Sequence, residues 1–208
     1  MAAVRTNEAT LVGALWPSSV NAALRTAALV AAGIIVLTIS AKVKVPFFPV
    51  PVTLQTLAVP LIAAAYGARL GTATVIAYLA AGFLGLPVFT NTPPAVAGPL
   101  YFLGTTGGYL AAYPLAACIV GTVAESPGGR SGFRLFGAML LADVVVLVAG
   151  FTWLAFVARL DSGAIGLGVE RAWAGGIAPF LLADLVKIAL AAALIRAGWS
   201  FAEGLSRR

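Results

Sequence analysis

Long apolar blocks, separated by short stretches rich in proline, glycine or charge, make up most of this 208-residue chain. A helix needs about 20 mostly apolar residues to cross the hydrocarbon of a bilayer. Six blocks meet or approach that length: residues 22–41, 53–67, 70–87, 105–124, 135–159 and 172–196. Each is read as a membrane-spanning helix. The second is short and carries Pro60, which removes a backbone donor and predicts a tilted or bent helix. The apolar runs lack the alternation of a membrane β-barrel. The expected fold is therefore all-α and integral to the membrane, a bundle of six transmembrane helices. Residues 1–21 form an N-terminal segment, 22–197 the helical domain and 198–208 a C-terminal tail. The first twenty residues have no short apolar core and small-residue cleavage site of a secretory signal, so the first block is expected to be a retained span.

Composition sharpens this picture. The chain is 61% apolar and 10% charged, against about 45–50% and about 25% in ordinary soluble domains. Its 23 Gly and 12 Pro follow no Gly-x-y period, which excludes collagen. Histidine is absent, which removes His-based triads, His-ligated zinc or haem and imidazole shuttling. The single cysteine, Cys118, excludes an intrachain disulfide and multi-thiolate metal sites. Neither a metal nor a cofactor is expected.

The net charge of +6 would raise nucleic acid as a partner in a soluble protein. Here the basic residues sit at the ends of apolar blocks, so they read as topology signals in a lipid bilayer, and no nucleic acid is expected. With the N-terminus inside, Arg5, Arg25, Arg69, Arg130, Arg134, Arg196, Arg207 and Arg208 fall on the inner side. Lys42, Lys44, Arg159 and Arg171 fall outside, and Lys187 lies within a span. The positive-inside bias puts both termini in the cytoplasm of a multi-pass plasma-membrane protein.

Two loops on the outer side are unusual. Residues 42–56 carry Pro46, Pro49 and Pro51, which forbid a continuing helix and favour an extended, polyproline-like path. The segment is nonetheless apolar. Non-helical apolar backbone near a membrane is buried in protein or lines a cavity. It reads either as a stiff connector or as a lid, with Thr53, Gln55 and Thr56 as hydrogen-bonding groups at the mouth of the second span. Residues 85–104 form a second apolar loop with Asn91 and Tyr101 as polar handles, and Tyr109 follows in the fourth span. Gly107 and Gly108 suit close helix packing. Together the loops suggest a shared cap over a pocket.

Three charged residues lie deep in spans: Asp143, Asp184 and Lys187. Such charges are costly in a bilayer, about 2.5–3.5 kcal/mol on insertion scales, and are functional candidates by default. Asp184 and Lys187 are three residues apart, hence on one helix face. They offer an acceptor and a donor side by side in an apolar wall. A ligand site is the preferred reading; a structural ion pair and a proton relay are the alternatives. Asp143 reads equally as an interhelical hydrogen-bonding group or a residue near the ligand. An aspartyl enzyme using Asp143 and Asp184 would need the carboxylates to face each other without Lys187, and a structural assembly factor would need no buried pair. No nucleophile–base or Walker motif is present, so an enzyme is not expected.

As a set, Pro49-Val-Pro-Val-Thr-Leu-Gln-Thr56, Gly67-Ala-Arg-Leu-Gly71, Gly82-Phe-Leu-Gly-Leu-Pro-Val-Phe89, Gly104-Thr-Thr-Gly-Gly-Tyr-Leu110 and the Asp184/Lys187 pair resemble the BioY family, the biotin-binding S components of energy-coupling factor (ECF) transporters. The resemblance spans about residues 40–190. It implies a six-helix protein that binds biotin at its outer face, with Asn91, Asp184 and Lys187 lining the pocket and the first loop capping it. Gln55, Thr53, Phe89 and Tyr109 are the further candidate substrate-binding residues. Some members carry a basic residue where this chain has Thr105, and others a proline; if a basic residue there meets the biotin carboxylate, that contact is missing here. Biotin's ureido ring has two N–H donors and a carbonyl, which suits a buried Asp–Lys pair. The opposite pose, with Lys187 on the carboxylate, is the rival. Ala23, Ala27 and Ala31, a small-residue ridge on the first span, are implied as the docking face for an ECF transmembrane coupling protein, itself joined to ABC-type ATPases. Transport without these partners stays open, as does a carrier for a different small vitamin.

Overall fold

The computed structural model describes residues 10–16, 21–95, 97–160 and 162–206. Of the residues in the charge argument, Arg5, Arg207 and Arg208 lie outside the described residues. Four helices among those described are long and apolar enough to cross a membrane. These are α2 (Ala22–Lys42), α5 (Gly107–Glu125), α6 (Gly132–Phe156) and the run that ends in α8 (Ala178–Ser206). Two shorter apolar helices, α3 (Gln55–Tyr66) and α4 (Ala68–Phe83), pack among them. The short helices α1 (Leu11–Leu15) and α7 (Val169–Gly176) complete the helical set.

The central helix is α5, which lies against α3, α4 and α6. Its face towards them is built from Gly108, Ala112, Ala116, Val120 and Gly121, all buried. The small residues permit close approach. A Cβ at Gly108 would fall inside the Trp153 side chain of α6, and one at Gly121 would meet the Ala68 backbone of α4 at 2.5 Å. The glycine pair in the fourth predicted span therefore serves helix packing. By contrast α2 is peripheral. It touches α3 and α4 through Leu29, Gly33 and Leu37, spaced at helical period. Only 17% of its apolar window is buried, and Ala23, Ala27 and Ala31 are exposed.

Several boundaries differ from the sequence reading. The sixth predicted span is not one helix over 172–196. It is broken at Ile177, between α7 and α8, and the second piece continues past Arg196 to Ser206. Pro179 accounts for the interruption: without an N–H it cannot donate to the Gly175 carbonyl four residues earlier, so the helical ladder does not run from α7 into α8. The third span ends at Phe83 instead of Pro87, where Gly85 adopts φ +97° and Pro87 follows. The fifth ends at Phe156, which leaves Arg159 in a loop whose backbone N–H donates to the Leu103 carbonyl at 2.8 Å. The N-terminal segment contains α1, held by Leu11 against Gly198 and by Arg25 Nη2 donating to the Val12 carbonyl at 3.0 Å.

The proline-rich loop after α2 is not simply extended. It turns back on itself as a hairpin of two short antiparallel strands, β1 (Lys44–Val45) and β2 (Val52–Thr53), with Lys44 opposite Thr53. The prolines occupy the connection, where no ladder hydrogen bond is needed from their nitrogens. Phe47 and Phe48 stand exposed at its tip, while Val50 and Val52 are buried. α7 packs beneath the tip: a Cβ at Gly175 would collide with Pro49.

Candidate binding site

Asp184 and Lys187 occupy one face of α8 and form an ion pair of 2.8 Å between Lys187 Nζ and Asp184 Oδ1. The Asp184 side chain is 0% exposed and that of Lys187 12% exposed. In such surroundings each charge needs further partners. They come from the start of α3. Thr56 Oγ1 donates to Asp184 Oδ1 at 2.7 Å, and Lys187 Nζ donates to the Thr53 carbonyl at 2.7 Å and to Thr56 Oγ1 at 3.0 Å. Asp184 Oδ2 is buried and accepts no hydrogen bond among the described residues. Asp143 of α6 lies close enough to interact with Asp184.

Thr56 and Thr53 connect the pair to a cavity between the helices. Its polar wall is Thr53, Gln55, Thr56 and Thr106; its aromatic wall is Phe89, Tyr101, Tyr109, Tyr113 and Phe180. The free volume is about 30 Å³, room for about one water. Asp184 and Lys187 do not themselves line it; they sit directly behind the threonines. The aromatic groups are mutually braced. Phe89 stacks on Tyr101 with centroids 4.7 Å apart and meets Tyr78 edge-on at 5.5 Å. Tyr109 donates to the Gly176 carbonyl at 2.8 Å and stacks on Phe180. Gln55 donates to the Tyr78 hydroxyl at 3.0 Å, and Tyr78 in turn donates to the Val88 carbonyl at 3.1 Å.

Above this cavity opens a vestibule of about 650 Å³, a size ordinary for small-molecule sites. Pro51, Tyr101 and Thr106 line both spaces and form the partition between them. Burial holds the Tyr101 hydroxyl above the usual phenol range, so it stays a neutral donor and acceptor. The loop after α2 and the loop after α4 meet here. Lys42 Nζ, at the end of α2, donates to the carbonyls of Phe89 (2.5 Å) and Thr92, and Lys44 Nζ donates to Asn91 Oδ1 at 2.6 Å.

The candidate residues thus fall into three groups. Thr53, Gln55, Phe89 and Tyr109 converge on the inner cavity. Asp184 and Lys187 lie behind its polar wall. Asn91 is separate: it lines the vestibule and its amide oxygen is engaged by Lys44. Thr56 carries more of the site than the sequence reading assigned to it, as the one side chain that bonds both members of the pair. Its position one turn before Pro60 was the available signal, because a proline withdraws the helical donor from the carbonyl four residues earlier. Tyr113 was missed, since a tyrosine within an apolar run carries no local mark.

Several apolar helices around a small cavity with one polar and one aromatic wall, roofed by two loops, define a multi-pass membrane protein. The sequence pattern of the BioY family matches residues 11–204, and the chain belongs to that family. Among curated proteins it is 34% identical over 164 residues to the probable biotin transporter BioY of Pyrococcus horikoshii, covering 78% of this chain and 89% of that one. It is 32% identical to the biotin transporter BioY2 of Lactococcus lactis, over 85% of this chain and 93% of that one. Its fold matches the crystal structure of the S component for biotin from an ECF-type ABC transporter, with TM-score 0.71 and 23% identity, covering 87% and 94% of the two chains.

Proposed function

We propose that the protein binds biotin at its outer face and mediates biotin uptake as an S component, together with an ECF coupling protein and ATPases. Membership in the BioY family makes it a transport protein and not an enzyme. The observation that carries the ligand assignment is the buried Asp184–Lys187 pair, bonded through Thr56 and Thr53 to an aromatic cavity under two loops. Biotin presents a cyclic urea, an apolar sulfur ring and a carboxylate tail. The urea suits the polar wall and the pair behind it, the rings suit Phe89, Tyr109 and Phe180, and the tail lies towards the vestibule. Because the inner cavity is small, binding requires Thr56 to yield the pair and the Phe89–Tyr101 stack to move. The relatives' activity favours biotin over another small vitamin.

The same reading places six spans in the plasma membrane, with α3 and α4 as the two short ones and both termini in the cytoplasm. The exposed ridge of Ala23, Ala27 and Ala31 on α2 serves as the docking face for the coupling protein; a shallow groove along it supports this. The test is to purify the protein in detergent from cells fed labelled biotin. Stoichiometric co-elution of biotin is expected, and exchange with unlabelled biotin but not with other vitamins. Co-elution of none, with a folded protein, would overturn the reading.

A further inference from the structure

We propose that the ligand's carboxylate is recognised in the vestibule by a cationic cluster of Arg159, Arg171 and Lys44. This rests on the biotin reading and assigns the part of the site that Asp184 and Lys187 leave unassigned. Three elements distant in sequence bring these cations to one concave surface: Lys44 from β1, Arg159 from the loop after α6, and Arg171 from α7. Among the described residues that line the vestibule, none is acidic. Neither arginine makes an ion pair with a described residue. Thr105 lies on the same wall, but its hydroxyl donates to the Pro49 carbonyl at 3.3 Å and serves the loop.

Their placement on the outer side is itself informative. The positive-inside bias disfavours cations there, yet the chain puts Lys42, Lys44, Arg159 and Arg171 on that side in the proposed orientation. Lys42 is used to hold the 89–92 loop. The other three all line the vestibule, Lys44 while also donating to Asn91 Oδ1. An anionic ligand that reaches the vestibule meets three cations among its described lining residues, whose field low-dielectric walls focus, and its planar carboxylate matches the fork of an arginine. The ligand class follows: a small molecule with a polar head for the inner cavity and one anionic tail. Neutral tail analogues are discriminated against.

The test compares labelled biotin with biotin amide, which keeps the ring system and loses the charge, on wild-type protein and on the Arg159→Gln/Arg171→Gln double variant. Wild-type protein is expected to prefer biotin by about tenfold or more, the scale of one good charge-assisted contact. In the double variant, biotin affinity falls to that of the amide while amide binding stays within about twofold of wild type, which also shows the variant is folded. An unchanged biotin preference in the double variant overturns the assignment. Should the variant fail to fold, the salt dependence of wild-type binding decides. Biotin affinity, but not amide affinity, drops as salt rises if exposed cations hold the tail, and parallel curves refute it. Wild-type protein that binds neither compound refutes the biotin reading instead.

Discussion

Asp184 and Lys187 illustrate what a low-dielectric wall demands of two charges. They neutralise each other at 2.8 Å, and Thr56 bonds both. Removing one member strands the other. Asp184→Asn or Lys187→Ala is therefore expected to abolish biotin binding in a filter or equilibrium assay and to destabilise the protein by about 3–5 kcal/mol. Near-normal affinity in both purified variants would remove the pair from the site. Thr56→Val keeps the shape but deletes the hydroxyl. Thermal melts should show a loss of about 1–3 kcal/mol, the cost of a buried charge deprived of a donor. An aliphatic side chain cannot relay between the pair and the cavity, so biotin binding weakens as well.

At the scale of elements, two helices do different work. α5 is locked by close contacts, and Gly108 lies where any side chain would overlap Trp153. Gly108→Leu should destabilise the bundle by about 1–3 kcal/mol, seen as a lower melting temperature in detergent. α2 is the opposite case, with its alanine ridge exposed. Ala27→Leu or Ala31→Leu should leave stability and biotin affinity unchanged and reduce co-purification with a coupling protein. Undiminished co-purification in both would count against the ridge. The C-terminal end of that same helix holds the 89–92 loop through Lys42, so α2 and the roof of the site are mechanically joined.

For the whole molecule, the proposed topology sets the two loops and the vestibule on one face of the membrane and the Arg130–Glu203 ion pair on the other. Arg130 also sits over the Trp199 ring at 3.9 Å, tying the segment after α5 to the end of α8. In a Cys118→Ser background, the Phe48→Cys variant should react with an impermeant thiol reagent on intact cells. The Ser200→Cys variant should react only after the membrane is opened. Labelling of the second site from outside would reverse the orientation and put the vestibule on the wrong side for uptake.

Hydropathy, block length and the three-residue spacing of Asp184 and Lys187 are local properties, so the residue string alone determined the apolar blocks and the pair on one helix face. Proline marked the two irregular loops for the same reason: the constraint on its own backbone travels with the residue. Packing decided the rest. The Pro179 break became visible as two helices, and the prolines of the first loop became the turn of a hairpin, because pairing of Lys44–Val45 with Val52–Thr53 adds hydrogen bonds that an isolated segment lacks. Asn91 went to the vestibule and Thr56 to the pair. The convergence of Lys44, Arg159 and Arg171 arises only when three separate segments meet. Distances between such segments are set by how helices and loops fill space, and no spacing along the chain encodes them.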